Sequence, residues 1–145
     1  MKIKIATPQI IIAAIGLINA LYLSWVKLTN NEAACLPGLG DCSTVNLSRY
    51  SEIYGVPVAL LGAGAFLVIL IFLVLEYRPV FSPDLSLFIV FGISLVGTLY
   101  SAYLTYLEIA VIRAICPYCV ISAIAMTLVL ILTLPKLLRR ASNEP

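Results

Sequence analysis

Four cysteines are the residues whose types and spacing can carry chemistry: Cys35 and Cys42, and the motif Cys116-Pro117-Tyr118-Cys119. A Cys-x-x-Cys at a helix start holds two thiols close enough to bridge. Its first sulfur faces unpaired backbone N–H groups and the positive end of the helix dipole. Both favour the thiolate, which is the reactive form. Pro117 suits a first helical turn, where its missing N–H costs no hydrogen bond. The chain has no His, and no Asp lies nearby, so the helix end is expected to supply most of the local field, assisted by Arg113. The other pair sits on a turn-like stretch broken by Pro37, Gly38 and Gly40. Such a stretch can bring Cys35 and Cys42 to the Cα separation of about 4.4–6.8 Å that a disulfide needs, or swing Cys42 toward Cys116. Two pairs, one mobile and one fixed, point to stepwise thiol–disulfide exchange through mixed disulfides. Cys35, Cys42, Cys116 and Cys119 are therefore the candidate catalytic residues. A zinc site made by all four would lock the loop onto a lipid-embedded helix, so no metal is expected. Inert structural bridges explain the motif poorly, because a Cys-x-x-Cys bridge closes too short a loop to restrict the unfolded chain much.

The elements that must position these sulfurs are set by composition. Of 145 residues, 62% are hydrophobic and 11% charged, far from the ~25% charged residues of an ordinary soluble domain. Four blocks without a charged residue supply spans at about 7–27, 56–75, 85–107 and 115–135, each long enough to cross ~30 Å of hydrocarbon. In lipid the backbone must satisfy itself, and continuous apolar runs without two-residue alternation mean helices rather than a barrel. The first block is too long for a signal-peptide core and is read as a span. The expected fold is an all-α integral membrane protein: one domain over 1–145, a four-helix bundle with a redox loop at 28–55. A net charge of +2 without a basic patch excludes nucleic acid as a partner.

Four spans put both termini on one side. Lys2, Lys4, Arg78, Lys136, Arg139 and Arg140 lie there, against Lys27, Arg49 and Arg113 opposite. Six against three places the termini in the cytoplasm. All four cysteines then fall on the extracytoplasmic face of the cell membrane, where disulfides persist. Trp25, Tyr100, Tyr103 and Tyr106 are expected at that outer interface. Within the loop, Ser43 reads as an N-cap and Leu47, Tyr50 and Tyr54 recur at helical spacing. They predict a half-helix lying apolar face down over the bundle. Pro57 is expected in the first turn of the second span. Small residues such as Gly16, Ala20, Gly62, Ala63 and Ser94 suit close helix packing.

A disulfide relay needs a final acceptor, and the chain carries no haem or iron–sulfur pattern. A lipid-soluble quinone (menaquinone, ubiquinone or similar), entering between helices and meeting Cys119 one turn deeper than Cys116, fits that need. Two rival readings are a small transporter using Glu108 as its ionisable residue, and a structural subunit with inert disulfides. Glu108 is expected at the outer end of span three, where its carboxylate reaches water.

At these residues the chain resembles the vitamin K epoxide reductase family, in its bacterial and archaeal branch. The resemblance rests on Cys35…Asp41-Cys42-Ser43 after span one, Ser48 six residues on, Gly55-Val56-Pro57-Val58-Ala59 opening span two, and Cys116-Pro117-Tyr118-Cys119-Val120 opening span four. It implies that Cys35 exchanges with a thioredoxin-like redox protein, Cys42 passes electrons to Cys116, and Cys119 reduces the quinone. It also implies that Ser48 is a loop serine stabilising the lid near the quinone site. The animal enzymes carry a tyrosine where this chain has Ala123, and their span-two asparagine has no counterpart. These departures point to plain quinone reduction rather than epoxide reduction. Many bacterial relatives carry a fused thioredoxin-like domain; the sequence ends at Pro145, so a separate partner is expected.

Overall fold

The computed structural model describes residues 3–29, 42–76, 78 and 82–143. Four helices are long and apolar enough to cross a membrane, with spans Thr7–Leu28, Val58–Leu75, Pro83–Ile112 and Pro117–Asn143. In chain order the elements are α1 (Ile3–Leu28), α2 (Cys42–Leu47), a 3₁₀ turn (Arg49–Ser51), β1 (Glu52–Ile53), β2 (Val56–Pro57), α3 (Val58–Leu75), α4 (Pro83–Leu107), a π turn (Glu108–Ile112) and α5 (Pro117–Asn143). The chain is an all-α multi-pass membrane bundle. Each long helix packs on two neighbours, α1 on α3 and α5, and α4 on α3 and α5, so the ring order follows the chain.

The apolar α3 shows how helices with little amphipathic contrast still choose an inside. Ala63, Phe66, Ile69 and Leu73 fall on one stripe and are buried, whereas Leu60, Leu67, Ile71 and Val74 face outward. Lipid is as apolar as leucine, so packing rather than water exclusion selects the inner stripe. Gly16 of α1 illustrates it. A Cβ there would stand 2.5 Å from the Phe66 ring, so only glycine admits that ring. Around this contact Ala13, Ala20, Ala63, Ile69, Met126 and Val129 complete the central core.

The end carrying the chain termini is tied by polar bonds. Fully buried Gln9 donates to Thr133 Oγ1 at 2.9 Å and accepts from Lys136 Nζ at 2.6 Å. Lys136 in turn lies 3.6 Å from a Glu76 carboxylate oxygen, and Arg140 pairs with Asp84.

Several expected boundaries move. α5 continues through Pro135 to Asn143, because a proline inside a helix removes only one ladder bond and the following turns pair with α1, α3 and α4. α4 runs on through the π turn to Ile112. The half-helix is present but stops at Leu47, with Ser43 inside it rather than capping it. Val45 is the residue buried against the bundle, Leu47 and Tyr54 are exposed, and Tyr50 borders the cavity described below. The cause is a hairpin, in which Glu52 pairs with Pro57 and Ile53 with Val56. Tyr54 (φ 50°) and Gly55 (φ 80°) form its two-residue turn, the backbone sign that a tight hairpin requires. Pro57 consequently ends β2 and precedes α3 instead of entering its first turn.

Candidate active site

The π turn decides where the Cys-x-x-Cys sits. Arg113 leaves it in the left-handed region (φ 56°, ψ 30°) and its N–H returns to Glu108 O, as does Ala114 N at 3.1 Å. The chain then runs irregularly to Cys116, whose carbonyl receives the Val120 N–H at 3.1 Å as α5 begins. Cys116 N donates to Glu108 Oε2 at 3.3 Å. Glu108 therefore folds back under the motif and is only 4% exposed. The expectation that its carboxylate reaches water is corrected: the π turn rotates it inward, where it finds an N–H donor. Arg113 is exposed, so the charge nearest the sulfurs is the acid and not the expected cation.

Asn19 fixes the motif from the other side. Its Nδ2 donates to the Tyr118 carbonyl and to Ser122 Oγ, both at 2.7 Å. The Tyr118 ring leans on Tyr22 of α1, with centroids 5.3 Å apart at 49°. Two helices thus clamp the first turn of α5.

Cys116 and Cys119 are free thiols, the first fully buried and the second half-buried. The Cys116 thiol is held below the ordinary thiol pKa, chiefly because Cys119 donates its S–H to it. Backbone N–H groups of Cys119 and Tyr118 add to this, while burial and the Glu108 carboxylate oppose it. A thiolate accepting several hydrogen bonds at a helix start is the form primed for exchange.

Cys119 opens onto a cavity of about 110 Å³, lined also by Glu108, Ser48, Gly62, Phe66 and Leu104. A larger groove of about 580 Å³ between α3 and α4 shares Gly62, Phe66, Leu104 and Ser122 with it. The walls are overwhelmingly apolar. A Cβ on Gly62 would meet nothing within 4 Å, so its missing side chain opens space rather than bringing helices together as expected.

The lid over this end is α2. Val45 packs with Leu23, Val26 and Cys116. Ser48 Oγ donates to Val45 O at 2.7 Å, and the Ser48 carbonyl accepts from Ser51 Oγ at 2.7 Å, so the serine closes α2 and starts the 3₁₀ turn. Lys27, at the end of α1, bonds Ser51 Oγ at 2.9 Å and pairs with Glu52 at 3.1 Å. Cys42 opens α2, but its side chain, like Cys35 altogether, lies outside the described residues. Cys116, Cys119 and Ser48 are thus brought to one place.

A sequence model of the Vitamin K epoxide reductase family matches residues 8–134, from the first turns of α1 through the first two thirds of α5. The chain belongs to the vitamin K epoxide reductase family. It is therefore a member of a family of membrane oxidoreductases, and the family's match takes in the redox loop, the π turn and the Cys-x-x-Cys. This membership favours the oxidoreductase reading over the transporter and inert-subunit readings. Sequence reasoning gave Glu108 to the transporter alone and did not single out Asn19 or Ser122. The signal available for Asn19 was an amide inside an otherwise apolar span, since polar groups there are expensive and usually have a task.

Proposed function

We propose that the chain is a quinone-dependent thiol–disulfide oxidoreductase, moving electrons from a thioredoxin-like partner through Cys35 and Cys42, then Cys116 and Cys119, to a membrane quinone. The observation that carries this reading is the position of Cys119, next to the buried Cys116 and on the wall of an apolar cavity that shares wall residues with a groove along α3 and α4. The cavity suits an apolar ring, and the groove a prenyl tail lying against lipid. A quinone bound there supplies an acceptor for two electrons.

The chain's own residues perform the rest. Partner thiols reduce the Cys35–Cys42 bridge. Cys42, carried by α2, attacks the Cys116–Cys119 disulfide at Cys116 and frees Cys119 to face the cavity. Cys35 then attacks Cys42, which breaks the mixed Cys42–Cys116 bond, re-forms the Cys35–Cys42 bridge and releases Cys116. Cys119 gives up the electron pair and the Cys116–Cys119 bond re-forms. Ser48 holds α2 closed, and Asn19 keeps the first turn of α5 in register. Orientation follows the charge count: Lys136 and Arg140 mark the cytoplasmic end, and the cysteines face outward, where the activity supports disulfide formation.

The test is quinone reduction by purified variants. Cys119→Ala is expected to abolish it. Cys35→Ala is expected to block turnover with a thioredoxin-like donor while a small dithiol still serves. Undiminished quinone reduction by Cys119→Ala overturns the assignment.

A further inference from the structure

Oxidising two thiols releases two protons as well as two electrons, and Cys119 sits half-buried in an apolar wall with little water to take its share. Beside it stands the Glu108 carboxylate, carried by the π turn. An ionised carboxyl is costly to bury, and a single backbone N–H such as that of Cys116 can be satisfied by a neutral oxygen. Among the described residues no Lys or Arg forms an ion pair with Glu108; Lys27, Lys136 and Arg140 pair instead with Glu52, Glu76 and Asp84. Glu108 nevertheless lies within hydrogen-bonding reach of the Cys119 thiol, accepts from Cys116 N and lines the same cavity. It touches the reacting sulfur on one side and the acceptor's space on the other.

We propose that Glu108 is the catalytic base for Cys119, taking its thiol proton as the electron pair leaves and handing that proton into the cavity. This rests on the proposed function for the identity of the acceptor, but not for the deprotonation itself. The balance is closed. The Cys119 S–H bond breaks and its proton goes to Glu108 Oε; the Cys116 thiolate, whose own proton has left to water at the outer face, forms the S–S bond. Two electrons pass to the quinone, which is reduced to hydroquinone with the Glu108 proton and one from outer water. Glu108 returns to carboxylate for the next cycle. Of the elements around Glu108, α1, α2 and α3 put no titratable group on the cavity wall among the described residues. The 3₁₀ turn contributes Tyr50, α5 contributes Cys119, and Cys116 lies just before it. The groups that exchange protons in the step are thus the two thiols and this acid.

Glu108→Gln separates the roles, because its amide oxygen still accepts from Cys116 N but takes no proton. Two single-turnover readouts are needed: oxidation of the reduced full-length protein by a short-chain quinone, and formation of the Cys116–Cys119 disulfide by diamide, followed by alkylation and mass analysis. General base catalysis is worth about 10²–10⁴-fold, so Glu108→Gln is expected to slow both by ~10²-fold or more and to turn the wild-type plateau at neutral pH into a steady rise toward alkaline pH. Wild-type diamide rates in the Gln variant overturn the proposal. If wild type fails with quinones yet its diamide reaction depends on Glu108, the acceptor assignment falls and this inference stands. Should the Gln variant not assemble, Glu108→Asp retains a carboxylate with shorter reach. It is expected to keep the pH plateau at reduced rate, and an Asp variant without that plateau contradicts the role.

Discussion

Replacing Asn19 with leucine, similar in size but without an amide, should loosen the first turn of α5 by a calculable amount. The amide makes two bonds from α1 to α5, each 2.7 Å long. Side-chain hydrogen bonds between membrane helices average about 0.6 kcal/mol and reach about 1.7. Two of them therefore place the loss at about 1–3 kcal/mol, with the upper half favoured by their short lengths. Asn19→Asp should cost more than Asn19→Leu, since it sets an acceptor against the Tyr118 carbonyl and brings charge into the bundle. Equilibrium unfolding in mixed detergent micelles measures the stability of both variants. Quinone reduction at fixed enzyme concentration measures the positioning effect, with kcat expected to fall more than KM rises, because the amide holds the thiols and does not line the cavity. An Asn19→Leu protein within about 0.3 kcal/mol of wild type refutes the clamp, as does an Asp variant more stable than the Leu one.

Two further predictions concern the cavity and the thiolate. Gly62→Ala should leave stability equal or raise it by up to about 1 kcal/mol, because its Cβ meets open space; Gly62→Phe should occupy the cavity and raise the quinone KM at least tenfold, and an unchanged KM for the Phe variant contradicts the cavity assignment. Cys116 has a lowered folded-state pKa, so in the reduced protein its thiolate ultraviolet absorbance should have its midpoint below the ~8.5 of a free thiol. Removing the Cys119 donor by Cys119→Ala should move that midpoint upward, and removing the opposing negative charge by Glu108→Gln should move it downward. A midpoint that fails to rise in Cys119→Ala contradicts the stated cause.

The architecture was legible because membrane spans announce themselves. Uncharged runs near 20 residues have one solution in lipid, and the four spans fell within a few residues of where hydropathy placed them, apart from the ends of α4 and α5. Those ends escaped because charged residues such as Lys136 and Arg140 look like a span terminus, yet pair with Glu76 and Asp84 across the bundle. The Tyr54–Gly55 hairpin was hidden because tyrosine rarely takes positive φ, and the aromatic spacing imitated a helix. At the site, the cysteine motif was readable from local spacing alone. Glu108 was not, since its inward turn depends on a π turn that changes register after Leu107, a feature with no one-residue signature. Asn19 was missed for a different reason. Its partners lie 99 and 103 residues away, and only the ring order of the helices brings them into reach.

The most direct test of the account is an anaerobic count of electrons against bonds. Fully reduced protein, mixed with one equivalent of a short-chain quinone, is quenched with an alkylating agent, and hydroquinone is compared with the Cys116–Cys119 disulfide found in peptides. The account predicts one hydroquinone for each such disulfide, with none formed by Cys119→Ala. Hydroquinone appearing while Cys119 remains fully alkylated contradicts it.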